Sequence, residues 1–185
     1  MFYCKIDDET ELRLIELRHT EELFLLTEQN RQHLREWLPW VDSSSSYEDT
    51  ARFIKSALEQ FTQNLGFQAG VWHQGKLVGV IGFHRIEWGN RRTSIGYWLS
   101  KQHEGKGLMT KACAALIDYA FNELKLNRIE IRCATANKKS CAIPERLRFT
   151  KEGVIRHAEW LYNHYVDHNV FGLLASEWKK SSTRK

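Results

Sequence analysis

One short segment constrains the fold of this chain most: an apolar strand that leads through a glycine-containing loop into a helix. The strand ends with Ile95–Leu99, the loop is Gln102–Gly107, and a helix runs from about Gly107 to Leu124. The first amides of a helix have no partner within it, and together with the helix dipole they form an anion site. Glycines at 105 and 107 let the backbone approach a pyrophosphate without an intervening Cβ. The segment therefore predicts a phosphate-binding turn, although the same glycines also suit an ordinary turn.

The other periodicities predict a mixed α/β order. Apolar residues at three- and four-residue steps, such as Ile54, Leu58 and Phe61, indicate helices, whereas strict alternation over Arg128–Ala134 indicates a strand. Helices are predicted over 20–38 (one helix or a broken pair), after a capping box at Ser46–Asp49, over 107–124 and over 140–147. Strands are predicted over Phe67–Trp72, Leu77–Arg85, Arg92–Leu99, Arg128–Ala134, Val154–Leu161 and Val166–Leu174. We expect one α/β (α+β) domain on a mixed sheet.

Composition limits the class of protein. At 185 residues and 42% apolar content, the chain suits one compact domain over 1–178, followed by a basic tail over 179–185 that we expect to be disordered. No stretch approaches the roughly 18 apolar residues of a membrane span, and charges such as Lys5, Asp7 and Glu9 stand where a signal peptide needs an apolar run. A net charge of +4 is mild for this length. We therefore expect a cytoplasmic protein with no membrane or nucleic-acid partner.

Cysteine and histidine patterns give no sign of a metal. The four cysteines form no C-x-x-C pair, and the eight histidines show no ligand spacing. We interpret the cysteines as reduced thiols in the core and expect no metal cofactor.

Nearly the whole chain resembles the GNAT (GCN5-related N-acetyltransferase) superfamily. The loop Gln102-His103-Glu104-Gly105-Lys106-Gly107 matches the cofactor signature Gln/Arg-x-x-Gly-x-Gly/Ala of that superfamily. Further blocks resemble its Rim-type branch of ribosomal-protein N-terminal acetyltransferases: Trp37-Leu38-Pro39-Trp40, Ile95–Leu99, Asn137-Lys138-Lys139-Ser140, Phe149–Gly153, and Ala158-Glu159-Trp160 through Tyr165-x-Asp167. The resemblance implies a mixed, mostly antiparallel, twisted sheet flanked by helices and splayed open between Tyr97–Leu99 and Arg128–Ala134.

The chain departs from the family at one place. Where the family commonly has Leu-Gly-Phe, this sequence has Leu147-Arg148-Phe149, and Pro144 lies in the preceding helix. If that helix begins near Ser140, the proline falls close to the first turn, where its missing N–H matters little. Arg148 at a usual glycine position is expected to disturb the end of the helix.

The resemblance implies acetyl-CoA as the cofactor. Its pantetheine arm would pair with freed backbone, Lys106 would add charge, and Thr110 would donate a hydroxyl. Asn137 is either a pantetheine ligand or a turn residue. The expected cofactor-binding residues are Tyr97, Trp98, Leu99, Gln102, His103, Glu104, Gly105, Lys106, Gly107, Leu108, Met109, Thr110, Asn137 and Ser140.

Acetyl transfer needs a base, a proton donor and stabilisation of the oxyanion, which the resemblance assigns to Glu159, Ser140 and backbone amides near Trp98, with no metal. The alternative for Glu159 is that it is a strand carboxylate that faces solvent. The alternative for Ser140 is that it is the N-cap of its helix. Tyr165 is a second candidate acid or else a packing aromatic. Cys141 is a core thiol rather than a nucleophile, since no base lies beside it in the sequence.

The amine acceptor is the open question. Trp37, Trp40 and the loop with Trp88 and Asn90 are candidate walls of its pocket, although packing explains the first two equally well. The branch resemblance implies a protein N-terminus, such as that of a ribosomal protein, as the acceptor and a homodimer as the assembly. The alternatives are acetylation of a small amine, such as an antibiotic or polyamine, and a non-catalytic acyl-CoA-binding module.

Overall fold

The computed structural model describes residues 2–182, with side chains up to Trp178. Eight strands form one sheet in the order β1-β2-β3-β4-β5-β6-β8-β7. They are β1 (Tyr3–Lys5), β2 (Thr10–Leu14), β3 (Phe67–His73), β4 (Lys76–Phe83), β5 (Arg92–Leu99), β6 (Arg128–Ala134), β7 (Thr150–Leu161) and β8 (His164–Leu174). Neighbouring strands are antiparallel except β5 and β6, which are parallel. The predicted mixed, mostly antiparallel sheet is confirmed.

Helices cover both faces of the sheet. They are α1 (Thr20–Arg35), α2 (Tyr47–Thr62), α3 (Leu108–Asp118), α4 (Lys138–Arg146) and α5 (Ala175–Ser182). Val80 packs in one apolar cluster with Leu23 of α1 and Ile54 of α2. Its neighbour Ile81 belongs to the larger cluster that contains Leu116 of α3. Because successive side chains of a strand point to opposite faces, α1 and α2 lie on one face of the sheet and α3 lies on the other.

The N-terminal hairpin β1–β2 is absent from the sequence prediction, which began with helices. Its strands are short, and the acidic turn over 7–9 interrupts the apolar pattern by which strands are predicted. The residues of β2 nevertheless alternate as a strand does: Thr10, Leu12 and Leu14 are buried, while Arg13 between them is exposed. The alternation is the pattern of a strand with one buried face. Strand β2 pairs with β3 and so extends the sheet.

Helix α4 begins earlier than predicted. Its N-cap is Asn137, whose side chain accepts a hydrogen bond from the Ser140 N–H at 3.1 Å. Ser140 therefore lies in the first turn and is not the N-cap, and Pro144 lies in the body of the helix. The proline has no N–H to bond the Ser140 carbonyl four residues earlier. The hydroxyl of Tyr97 donates to that carbonyl instead, at 3.0 Å.

Arg148 ends α4 in a left-handed conformation, with φ of 62°. Its N–H bonds the Glu145 carbonyl at 3.1 Å, and the Phe149 N–H bonds the Pro144 carbonyl at 3.0 Å. These two bonds form a Schellman motif, which usually takes glycine at this position. The expected disturbance of the helix end is therefore absent, since α4 ends in a regular motif with an arginine at the position that favours glycine.

Other boundaries differ by a few residues. The predicted helix to Leu124 is an α-helix to Asp118 and then a π-helix over Tyr119–Glu123. Strand β7 begins at Thr150 rather than at 154. Helix α5 was not predicted, and the expected domain boundary at 178 falls inside it, while residues 183–185 of the tail lie outside the described residues. No helix within 2–182 is long and apolar enough to cross a membrane.

Candidate active site

The centre of the sheet is splayed. Strands β5 and β6 pair only at their beginnings, through Arg92 with Arg128, Thr93 with Ile129 and Ser94 with Glu130. Along Ile95–Leu99, β5 pairs with β4 on its other side, so its edge toward β6 has no strand partner. Backbone groups without a partner bind water or a ligand. The predicted splay is confirmed, and it leaves a row of backbone donors and acceptors facing a gap.

The glycine loop lies where β5 ends. Gly105 and Gly107 have φ of 74° and 76°, a left-handed conformation that favours glycine, and a Cβ on either would meet nothing within 4 Å. Backbone conformation, rather than crowding, therefore requires these glycines. Gly107 is the N-cap of α3 and supplies no capping side chain. The first amides of α3, from Leu108 to Thr110, are thus available to an anion.

Glu104 lies within this loop but its carboxylate is turned toward two helices. Its oxygens bond His33 Nε2 of α1 at 2.8 Å and Lys139 Nζ of α4 at 2.6 Å. Partial burial works against ionisation, but Lys139 and His33 together lower the pKa of Glu104 below its ordinary value. The loop therefore carries a paired rather than a free negative charge.

A cavity of about 1080 Å³ opens on the side of the sheet that carries α1 and α2 and reaches the gap. It gathers seven of the residues that the sequence singled out: Trp37, Trp40, Tyr97, Trp98, Asn137, Ser140 and Glu159. The rings of Trp40 and Trp98 lie 6.3 Å apart. The Tyr162 hydroxyl donates to the Leu38 carbonyl at 2.6 Å and so ties the β7–β8 turn to the loop that carries the two early tryptophans.

Ser140 and Tyr97 face each other across the gap. The Ser140 hydroxyl lies 3.3 Å from the Tyr97 oxygen and donates to it, while Tyr97 donates to the Ser140 carbonyl. Burial raises the pKa of Tyr97 well above its usual value, and the bond from Ser140 opposes this only in part. The phenol therefore stays protonated at physiological pH.

Glu159 reaches the cavity from β7, where the pairing with β8 is irregular. The register shifts between Ile155 and Glu159, and His157 has a φ of 50°. Such bulges re-aim side chains. Glu159 Oε2 lies 3.4 Å from Nε2 of His168, and both residues line the cavity. The sequence motifs did not include His168, which lies two residues beyond Val166, the strand partner of Glu159.

Comparisons with known proteins agree with this geometry. Residues 10–150 match the family model described as "Acetyltransferase (GNAT) domain". The chain belongs to the GNAT acetyltransferases. It is 40% identical to "Putative ribosomal N-acetyltransferase YdaF" of Bacillus subtilis (strain 168) over 181 residues, 97% of this chain and 98% of that protein.

Solved GNAT structures share the fold. One is RimL, a ribosomal L7/L12 alpha-N-protein acetyltransferase in complex with coenzyme A, with a TM-score of 0.91 at 27% identity over 94% of this chain and 98% of that one. Another is the microcin C7 self immunity acetyltransferase MccE in complex with acetyl-CoA and AMP. It has a TM-score of 0.88 at 32% identity, over 92% of this chain and 94% of that one. The chain is therefore an acetyl-CoA-dependent N-acetyltransferase.

Outside the glycine loop and the first turn of α3, which lie beyond the cavity, four residues of the predicted GNAT site do not line the cavity. Tyr165 is 55% exposed and packs on Trp160 and His157, so its ring does not line the cavity that Glu159 lines. Trp88 donates its ring N–H to the Asn64 carbonyl at 2.6 Å, and Asn90 bonds Glu87 at 3.1 Å. Both brace the turn between β4 and β5. Leu99, the fourth, is buried at the end of β5.

Cys141 has no base beside it in the GNAT cavity. Its sulfur lies 3.3 Å from that of Cys133 and 3.3 Å from Nδ2 of Asn169, and all three side chains are buried. This environment fits a core thiol and does not activate a nucleophile.

Proposed function

We propose that this enzyme acetylates the N-terminal α-amine of a protein, with a ribosomal protein as the acceptor. The observation that carries the proposal is the cavity, which runs from the gap in the sheet to the tryptophans of the α1–α2 loop. Its size suits the extended end of a polypeptide, and ribosomal-protein acetyltransferases are among the similar proteins.

The proposed cofactor contacts follow from the loop and the gap. The amides of α3 and Lys106 would hold the pyrophosphate, and the free edge of β5 would pair with the pantetheine arm. Asn137, which caps α4 and lines the cavity, would be within reach of the same arm. Thr110 lies in the first turn of α3, and Arg146 donates to its hydroxyl at 3.3 Å, which adds a cation that sequence analysis missed.

The proposed chemistry is direct attack of the amine on the acetyl carbonyl, without an acetyl-enzyme. Glu159, beside His168, would accept the proton that an α-ammonium must lose before it becomes a nucleophile. An α-amine has a pKa near ~8, against ~10.4 for lysine, so a modest base suffices. Backbone N–H groups of β5 would polarise the carbonyl, and Ser140 would protonate the departing sulfur.

The cellular setting belongs to the same proposal. Acetylation of ribosomal proteins implies a cytoplasmic enzyme. A homodimer is supported by the β7–β8 hairpin, which exposes Val154, Trp160 and Tyr165 at 48%, 52% and 55%. Sedimentation velocity across a tenfold concentration range would test the dimer, and a monomer at every concentration would contradict it.

The deciding experiment offers acetyl-CoA with N-terminal peptides, lysine peptides and small amines, read by mass spectrometry. We expect acetylated N-terminal peptides. Product only from small amines would favour the second candidate, which the likeness to MccE supports. No product from any class would favour a non-catalytic acyl-CoA-binding module.

The roles of Glu159 and Ser140 are tested in the same assay. Glu159→Gln and Ser140→Ala should each lower kcat by about 10²-fold, because each removes one proton transfer, with CoA affinity unchanged. Asn163→Ala, in the exposed β7–β8 turn, serves as a control and should keep the full rate. Unchanged rates in both site variants would refute these roles.

A further inference from the structure

His84 is a cavity residue that neither the sequence motifs nor the proposed roles use. It follows β4 directly, and its N–H donates to the Ser94 carbonyl of β5 at 2.9 Å. Its Nδ1 lies 2.9 Å from the Ser94 hydroxyl. Two bonds to one β5 residue therefore fix both the backbone and the ring of His84 at the edge of the cavity.

Gly96 makes room for this ring. A Cβ built on Gly96 would stand 2.5 Å from Nε2 and 2.7 Å from Cε1 of His84, far closer than real contacts allow. Gly96 has no positive φ, so its backbone does not call for glycine. Glycine is therefore needed at position 96 to leave space for the imidazole. The Nε2 atom of His84 lies against the part of β5 that has no strand partner on its β6 side.

The surroundings of the ring keep it neutral. The ring is reachable from the cavity, yet the protein around it partly removes water and lowers the pKa of His84, and Arg132 of β6 lowers it further. Three arginines of this part of the cavity are paired: Arg132 with Glu130, Arg52 with Asp49, and Arg92 with Glu87. Arg85, the residue after His84, lines the same cavity and brings a further positive charge to it. In the tautomer whose Nδ1–H donates to the Ser94 hydroxyl, the neutral imidazole keeps a lone pair on Nε2, which lies beside Gly96 in the cavity wall.

The proton balance of the reaction leaves a task for such a group. An α-ammonium loses two protons in becoming an amide: one before the nitrogen attacks and one from the adduct that the attack forms. Glu159 is proposed for the first. We infer that His84 accepts the second through Nε2 as the C–S bond breaks, while Ser140 protonates the thiolate. Glu159 and His84 then release their protons to solvent through the open cavity, and the Ser140 oxygen regains one, so that the net products are the amide, the CoA thiol and one proton.

This inference rests on the proposed function, and a comparison of pH profiles separates the two proton transfers. In Glu159→Gln the loss of kcat/KM should shrink as pH rises above the amine's pKa of ~8, because the amine is then already neutral. In His84→Gln a loss of about 10²-fold should persist at pH 9.5, because the second proton must still leave. A His84→Gln loss that disappears at high pH would overturn the inference.

Chemical rescue tests the role against a merely structural one. In His84→Ala, added imidazoles should restore the rate, and the rescued rate should rise with the pKa of the added base. Gly96→Ala keeps the histidine but displaces its ring, so we expect a similar loss without rescue. His164→Gln, at an exposed histidine of the β7–β8 turn, should leave the rate unchanged.

Each outcome of the rescue experiment decides the question. Rescue that is independent of base strength, or no rescue in a variant that still binds CoA with wild-type affinity, would assign His84 a packing role. A wild-type enzyme that acetylates no amine would instead refute the proposed function, so the two failures are distinguishable.

Discussion

At the scale of single residues, Arg148 holds a backbone conformation that its side chain disfavours. A non-glycine residue in the left-handed region costs about 1–2 kcal/mol, because the Cβ crowds the following carbonyl. The Schellman bonds of α4 nevertheless keep it there, with φ of 62°. Packing of Phe149, which is 6% exposed, explains why the chain tolerates the cost, since that burial depends on the turn.

Arg148→Gly should therefore stabilise the protein by about 1 kcal/mol, since the strain it relieves exceeds the entropy that glycine adds to the unfolded chain. The measurement is the free energy of unfolding in urea. Arg148→Ala is the control: alanine retains the Cβ and should bring no such gain. An equal gain in both variants would attribute the effect to the arginine side chain rather than to the backbone.

Motifs that are contiguous in sequence located the candidate site residues that the family resemblance implies. Gly105, Gly107, Ser140 and Glu159 stand in motifs that are contiguous in sequence, so a family signature locates them. His84 and His168 were missed because their partners, Ser94 and Glu159, are brought to them only by strand pairing. Register across a sheet is decided by tertiary packing, which local patterns do not contain.

At the scale of elements, the start of α3 depends on the left-handed Gly107. Gly107→Ala should weaken CoA binding by about 5- to 10-fold, because ~1–2 kcal/mol of backbone strain would move the first amides of the helix. Titration calorimetry with CoA measures this effect.

The hairpin turn between β3 and β4 offers a matched control. Gly75 has the same φ of 76° as Gly107, and a Cβ there also meets nothing within 4 Å. Gly75→Ala should lower the free energy of unfolding by the same ~1–2 kcal/mol of backbone strain and leave CoA affinity unchanged. Equal losses of CoA affinity in both variants would contradict a local role for the α3 terminus.

Elements with long, clean periodicity were predicted well, and short or interrupted ones were not. The capping box of α2 is confirmed, with Ser46 and Asp49 bonding each other's N–H at 3.1 and 3.0 Å. The start of α4 was wrong because Asn137, not Ser140, caps it. Both residues are good N-caps, and the choice between them depends on how β6 ends, which the local sequence does not show.

At the scale of the whole molecule, Glu104 connects the glycine loop to α1 and α4 through His33 and Lys139. Lys139→Ala should raise KM for acetyl-CoA by about 2- to 5-fold, because a Glu104 carboxylate that keeps only His33 as a partner would repel the phosphates over a screened distance of ~10 Å. The double variant Lys139→Ala/Glu104→Gln should restore the KM. Lys138→Ala removes a neighbouring exposed charge and should have a smaller effect.

The salt and pH dependence of this effect follow from its cause. Added salt screens the repulsion, so the KM increase should shrink at 0.5 M salt, where the Debye length is about twofold shorter than at 0.1 M. The folded-state pKa of Glu104 is lowered, so its carboxylate is charged above its ordinary value and protonates only as pH falls below it. The increase should therefore be constant between pH 6 and 9. A change within that range would implicate another group.

The whole fold was predictable in class but not in extent. The family blocks gave the central splay correctly, since it depends on the β5 loop and the β6–α4 turn. They did not reveal the hairpin β1–β2 or α5, which lie beyond those blocks at the two ends of the chain. Short terminal elements depend on the surface that receives them, and their own sequences carry little information.

The splay also changes what an unpaired strand edge can do. At the outer border of a sheet, an unpaired edge is open to any extended polypeptide and invites aggregation. Here the unpaired edges of β5 and β6 face each other inside the sheet and begin only three residue pairs from their junction. Another chain cannot approach them broadside, whereas a slender, flexible molecule can enter from the end. An edge in this position would serve the proposed pairing with pantetheine without being open to a further strand along its length.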